Sequence, residues 1–235
     1  MRIFSLMKIE IWSDVMCPFC YLGKRRLENA LEVSGFKAEA EIIWKSFQLN
    51  PDMKTEPGKG IEDYLVEKKG WSLDQIRKSH ARLTQAAAEV GLLYDFEKAV
   101  VANSFDAHRL VQLAKTKGLG DAMEERLFKA YFSEGGNIAD HPTLLRLAAD
   151  AGLDEAEAKR ALDDKTAFAR EVRADVNEAQ QLGVNGVPFF VFDRKFAVSG
   201  AQDPSVFLKA IKKAHDEAGG AQAESGGTQD KKGEA

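Results

Sequence analysis

The chain has 235 residues, 44% hydrophobic and 30% charged, with a formal net charge of −4 at neutral pH. This is the composition of an ordinary globular protein with enough apolar material for a core that does not depend on disulfides. The slight acidity argues against a broad nucleic-acid surface, and no run nears the roughly 18 apolar residues of a membrane span.

The first twelve residues are short and interrupted by Glu10. They lack the basic start, long apolar stretch and small-residue cleavage site of a signal peptide, so a cytoplasmic protein is expected. Met7 is a plausible translation start, which makes residues 1–6 a dispensable extension. Residues 8–13 alternate Ile9, Ile11 and Ser13 with Glu10 and Trp12, the period-two pattern of a strand. Cys17-Pro18-Phe19-Cys20 follows at once. Over residues 21–33, Leu22, Leu27, Ala30 and Leu31 make an apolar helical stripe that Ser34-Gly35 ends. Residues 39–49 read as a second strand with Ile42, Trp44 and Ser46 on one face, and Asn50-Pro51-Asp52 is a turn. Strand, CxxC, helix and strand make a βαβ opening.

Only helices are predicted next: 72–90, with Ser72 as N-cap and Gly91 as C-cap, then 104–117, 121–132, 143–151, 155–162 and 168–182. The α/β pattern resumes with apolar strands 189–192 and 196–199 around the turn Asp193-Arg194-Lys195. A helix over 203–215 closes the fold, with Asp203 as N-cap and Pro204 at its first position. The predicted class is therefore α/β. Residues 7–58 and 166–217 form a discontinuous domain, 59–165 an inserted helical subdomain, and 218–235, without periodicity, a disordered tail.

Both cysteines of the chain lie in the one CxxC. A disulfide framework spreads its cysteines, so a close pair in a reducing compartment points to catalysis or metal binding. Structural zinc needs four ligands; there is no third cysteine, and His80, His108, His141 and His215 show no paired spacing. No metal and no bound cofactor is expected. Cys17 falls where strand becomes helix, so its sulfur faces unpaired N–H groups and the positive helix end, which stabilise a thiolate. Cys20 lies one turn on, within disulfide reach. Pro18 suits a first helical turn. An exposed attacking thiol beside a more buried resolving thiol is predicted, with Phe19 between them as a substrate contact. Downstream, Gly186-Val187-Pro188-Phe189-Phe190 puts a proline just before a strand. It resembles the cis-proline loop of the thioredoxin fold, which lies opposite the CxxC and offers backbone hydrogen bonds to an incoming chain; the alternative is an ordinary trans proline at a strand start.

From Lys8 to about His215 the chain resembles the DsbA-like thioredoxin superfamily, in particular its cytoplasmic FrnE-type branch. The resemblance is carried by Ser13-Asp14-Val15-Met16-Cys17-Pro18-Phe19-Cys20-Tyr21-Leu22-Gly23-Lys24, Phe47-Gln48-Leu49-Asn50-Pro51, Asn103-Ser104-Phe105-Asp106-Ala107-His108-Arg109, Gly183-Val184-Asn185-Gly186-Val187-Pro188 and Val198-Ser199-Gly200-Ala201-Gln202. It implies a thioredoxin fold with an inserted all-helical subdomain. It also implies a thiol–disulfide oxidoreductase or isomerase that exchanges disulfides with protein or small-thiol substrates through Cys17 and Cys20. Expected substrate contacts are Pro18, Phe19, Val187, Pro188, His108 and Gln202. Hydroxychromene-carboxylate isomerases and kappa-class glutathione transferases share the topology but generally carry serine at the position matching Cys17. They make glutathione the expected small co-substrate, near Val187 and Gln202-Asp203, and leave a glutathione-dependent isomerase or transferase as one alternative. A chaperone or redox-sensing binding module using the helical subdomain is the other. His108 either tunes the Cys17 thiolate or is a helix residue holding a hydrogen bond. Asp14 either tunes the thiol or caps the helix. Monomer and homodimer are both compatible with the sequence.

Overall fold

The computed structural model describes residues 6–225. Strand β1 (Met7–Ser13) leads through the CxxC into α1 (Pro18–Ser34), and the chain returns as β2 (Ala40–Ser46), parallel to β1. Gly35, at φ +78°, ends α1 by entering the left-handed region that a side chain disfavours. An insertion follows: β3 (Glu56–Gly60), α2 (Ile61–Lys69), α3 (Leu73–Ala88), β4 (Val100–Val101), α4 (Phe105–Lys115) and α5 (Gly120–Lys129). A π-helical turn (Ala130–Glu134) extends α5, and α6 (His141–Asp150) and α7 (Glu155–Asp163) complete the insertion. Helix α8 (Ala169–Gln181) returns to the sheet, followed by β5 (Phe189–Phe192), β6 (Phe196–Ser199) and α9 (Pro204–Ser225). This is an α/β thioredoxin fold with a helical insertion.

The sheet runs β2-β1-β5-β6, with β5 antiparallel to both β1 and β6. Its central strand departs from the expected alternation, because only Lys8 of β1 is exposed. Helices cover both faces, and a strand buried on both sides loses its polar face. Ile9 and Ile11 join the core with Leu27 of α1 and Phe207 and Ile211 of α9; Trp12 packs on the other face with Ala179 of α8. Glu10 is buried but ion-paired, to Arg194 and, at 3.7 Å, to Lys45. The Trp12 indole N–H donates to the Asp175 carbonyl at 3.0 Å, and the Asp175 carboxylate accepts from Ser46 N–H at 3.0 Å, fixing α8 to the sheet.

The expected helices form, with local differences. Ser72 and Gln75 make a reciprocal capping box, yet α3 stops at Ala88, and Gly91 takes its left-handed φ of +78° beyond the last turn. Helix α2 and the antiparallel pair β3–β4 at the neck of the insertion lie where the sequence predicts no element. The last helix stays helical to Ser225, past the expected end at 215 and into the expected tail; residues 226–235 lie outside the described residues.

Candidate active site

Cys17 is the N-cap residue of α1 and Pro18 its first residue, so the sulfur sits at the unpaired amino end of the helix. Cys17 N–H donates to the Asp14 carbonyl and Cys20 N–H to the Cys17 carbonyl, each at 2.9 Å. Both thiols are free. Burial pushes the Cys20 thiol up, reinforced by a hydrogen bond to Cys17 and by the charge of Cys17. The Cys17 thiol donates to the Val187 carbonyl at 3.5 Å, and the Val187–Pro188 bond is cis. This loop can lie so close because position 23 lacks a side chain. A Cβ added at Gly23 would stand 3.0 Å from both the Pro188 and Phe190 rings.

The expectation of an exposed attacking thiol is corrected here. Cys17 is 3% exposed and Cys20 1%, whereas Phe19 between them is 48% exposed. Cys17 stands in the wall of a groove of ≈ 590 Å³, with Pro18, Phe19, Trp71, His80 and Phe132. Helices α2 and α3 and the segment after β2 build the far wall. Tyr94, in the segment after α3, holds that segment to the helix start, its hydroxyl donating to the Pro18 carbonyl at 2.7 Å. Stacking of Tyr21 on Phe128 at 4.9 Å fixes α1 against α5.

Behind the pair lies a buried polar layer. The Asp14 carboxylate accepts from Leu49 N–H at 2.8 Å and Met16 N–H at 3.3 Å, so it pins two loops and does not cap α1. His108 Nε2 faces it at 3.4 Å. Burial alone lowers the His108 imidazole, but the Asp14 carboxylate facing it, with the charge of Glu124, raises it overall. The Ser13 hydroxyl, which also meets the Cys20 thiol, donates to Glu124 Oε1 at 3.0 Å. Burial raises the Glu124 carboxyl to about 7 against the opposing pull of His108 and Ser13.

Fold, dithiol and cis loop together resemble a known group, and a profile of the DSBA-like thioredoxin domain matches residues 8–212. The chain belongs to the DsbA-like thioredoxin family. The probable DsbA oxidoreductase SCO1869 from Streptomyces coelicolor is 40% identical, covering 90% of this chain and 91% of that one with a TM-score of 0.85. The uncharacterized protein YwbO of Bacillus subtilis is 28% identical over 210 residues, 86% of this chain and 94% of its own. The cytosolic disulfide reductase DsbM from Pseudomonas aeruginosa shares the fold at 22% identity, with a TM-score of 0.60 over 88% of this chain and 97% of that one. At the coarse level, then, this is an oxidoreductase of the DsbA-like kind. Among the described residues no helix is long and apolar enough to cross a membrane.

Within that family frame, Cys17, Cys20, Pro18, Phe19, Val187 and Pro188 come together as the sequence leads one to expect. His108, at 1% exposure, lies buried against Asp14 and off the groove wall. Gln202 also lies off that wall. It is exposed, its side-chain amide donates to the Ser199 carbonyl at 2.7 Å, and it does not line the groove. Ser13, Tyr94 and Glu124 were not singled out by sequence. Glu124 was findable, since it falls on the apolar stripe of Met123, Leu127 and Phe128.

Proposed function

We propose that the chain is a cytoplasmic thiol–disulfide oxidoreductase of the FrnE-type branch, with Cys17 as attacking and Cys20 as resolving thiol. The observation that carries this reading is the free pair on one helical turn, its first sulfur against the Val187 carbonyl at the wall of a substrate-sized groove. The Cys17 thiolate attacks one sulfur of a substrate disulfide; that S–S bond breaks, and the second substrate sulfur leaves as a thiolate. Cys20 then gives up its proton and attacks Cys17 Sγ, forming the Cys17–Cys20 disulfide and releasing the first substrate sulfur. Two electrons pass to the substrate, and the reverse sequence oxidises a dithiol.

The environment of Cys20 orders these steps. The charge of Cys17 helps hold Cys20 protonated, and that charge vanishes when Cys17 bonds to substrate. Cys20 becomes more acidic at the stage when it has to attack. The Ser13 hydroxyl and the Glu124 carboxylate, poised near neutrality, offer its proton a buried path. Glutathione is proposed as the small thiol that returns the oxidised pair to the dithiol; DsbM, similar in fold, has been seen with GSH.

Reduction of a disulfide-bonded peptide tests the reading. Cys20→Ser is expected to accumulate a covalent enzyme–peptide adduct that dithiothreitol releases, and Cys17→Ser to lose turnover and form no adduct. Full activity in Cys17→Ser would overturn the mechanism.

A further inference from the structure

The groove at Cys17 does not end at Phe19. A second cleft, of ≈ 370 Å³, opens on the other side of that ring between α1 and α3. Phe19, Ser79 and Leu83 belong to both spaces, so a trough continues from Cys17 across Phe19. Leu22, Leu83 and Ala201 give the second cleft an apolar floor, and Arg26 and Arg82 are its charged liners. Among the described residues no acidic side chain lines it.

Both guanidinium groups have charge to offer. Arg26 donates to the carbonyls of Ala201 at 2.7 Å and Gln202 at 3.3 Å, and Arg82 to the carbonyl of Lys78 at 3.3 Å. Arg26 also lowers the nearby Asp203 carboxyl, although the larger causes there are that carboxylate's bonds with Ser205, including one from Ser205 N–H at 2.9 Å. The neighbouring cations of α3 are already matched, Arg77 by Glu62 and Lys78 by Asp74. A cleft of two cations beside the reactive pair stands out in a chain whose net charge is −4.

We propose that this cleft binds an acidic side chain of a substrate polypeptide, placed about four residues from the cysteine that reacts with Cys17. The proposal rests on the exchange reading above. The spacing follows from geometry. Along the axis of α1, Arg26 lies nine residues, about 13.5 Å at 1.5 Å per residue, beyond Cys17. An extended substrate spans that in about four residues at ~3.3–3.6 Å each. The apolar floor takes the methylenes of a glutamate, and the two arginines take its carboxylate.

Three disulfide-linked peptides test this, identical except for Glu, Gln or Lys four residues from the reacting cysteine. With the native chain, the Glu peptide is expected to have a KM roughly fivefold below the Lys peptide, with Gln between and kcat unchanged. That is the size expected of two partly exposed ion pairs, and it should shrink with added salt. Arg82→Glu is expected to weaken or reverse the order of KM among the three peptides. Equal KM values for the three peptides overturn the cleft's role and leave the exchange reading standing, as does an unaltered preference in Arg82→Glu. Failure to reduce any peptide overturns the exchange reading itself and the cleft's role with it. Oxidised glutathione serves as the small acidic disulfide. An Arg82→Glu loss on glutathione disulfide as large as on the Glu peptide would assign the cleft to small disulfides and overturn the polypeptide occupant.

Discussion

Glu124 shows how one buried carboxyl joins stability to chemistry. Its proton is held more tightly in the folded chain than in the unfolded one, because burial raises it from 4.5 to about 7. The stability this contributes is complete below the unfolded value and is lost as pH rises through about 7; the difference corresponds to about 3 kcal/mol. His108, also raised, contributes in the same direction, losing its share as pH climbs through its folded value. Thermal melting between pH 5 and 8 should therefore fall in the native chain and fall less in Glu124→Gln. An identical slope in the two would contradict the buried, raised carboxyl. The same variant should slow resolution of the mixed disulfide at neutral pH while leaving its formation unaffected. Two glutamates stand side by side in the sequence, and they part in the fold: Glu124 is buried, whereas Glu125 is half-buried and bonded to Tyr21 and Arg25. The apolar stripe of α5 is the signal that separates them.

At the scale of elements, α1 and the cis loop form one unit. The absent side chain at Gly23 lets the helix approach Pro188 and Phe190, which brings Val187 to the Cys17 sulfur. Gly23→Ala gains about 1 kcal/mol of helix propensity but crowds two rings at 3.0 Å, a cost of about 1–3 kcal/mol in a packed core. A lower melting temperature and slower attack by Cys17 are expected together; a melting temperature equal to or above that of the native chain would contradict the packing. The strand–CxxC–helix unit and the 189–199 hairpin were legible because their signals are local: an apolar run, turn residues, a helix cap. At the hairpin, Asp193 and Arg194 both take positive φ, as a tight turn between strands requires. Strand β3 was not legible, because Pro57, Gly58 and Gly60 carry no strand signal and the pairing with β4 is non-local. The two-sided burial of β1 was equally hidden, since Glu10 looks like a surface residue until Arg194 arrives from the far end of the chain.

For the whole molecule, the insertion decides what reaches the sulfur. A bare CxxC at a helix start is open to solvent, but α2 and α3 fold back and convert the position of Cys17 from a surface to a groove wall. No sequence pattern reports that, because it depends on how distant helices dock. The depth narrows the route to the thiol to substrates that enter beside Phe19 and Trp71, both about half exposed at the groove. The chemistry, in contrast, depends on two residues one turn apart. The direct measurement is a redox titration of the full chain in defined thiol–disulfide buffers, read by the mass added on thiol alkylation. The expected result is a reversible two-electron transition, about 30 mV per tenfold change in ratio, in which both alkylatable thiols vanish together and Cys17→Ser has no such transition. Two thiols that stay alkylatable throughout, or one that is lost while the other remains, would contradict it.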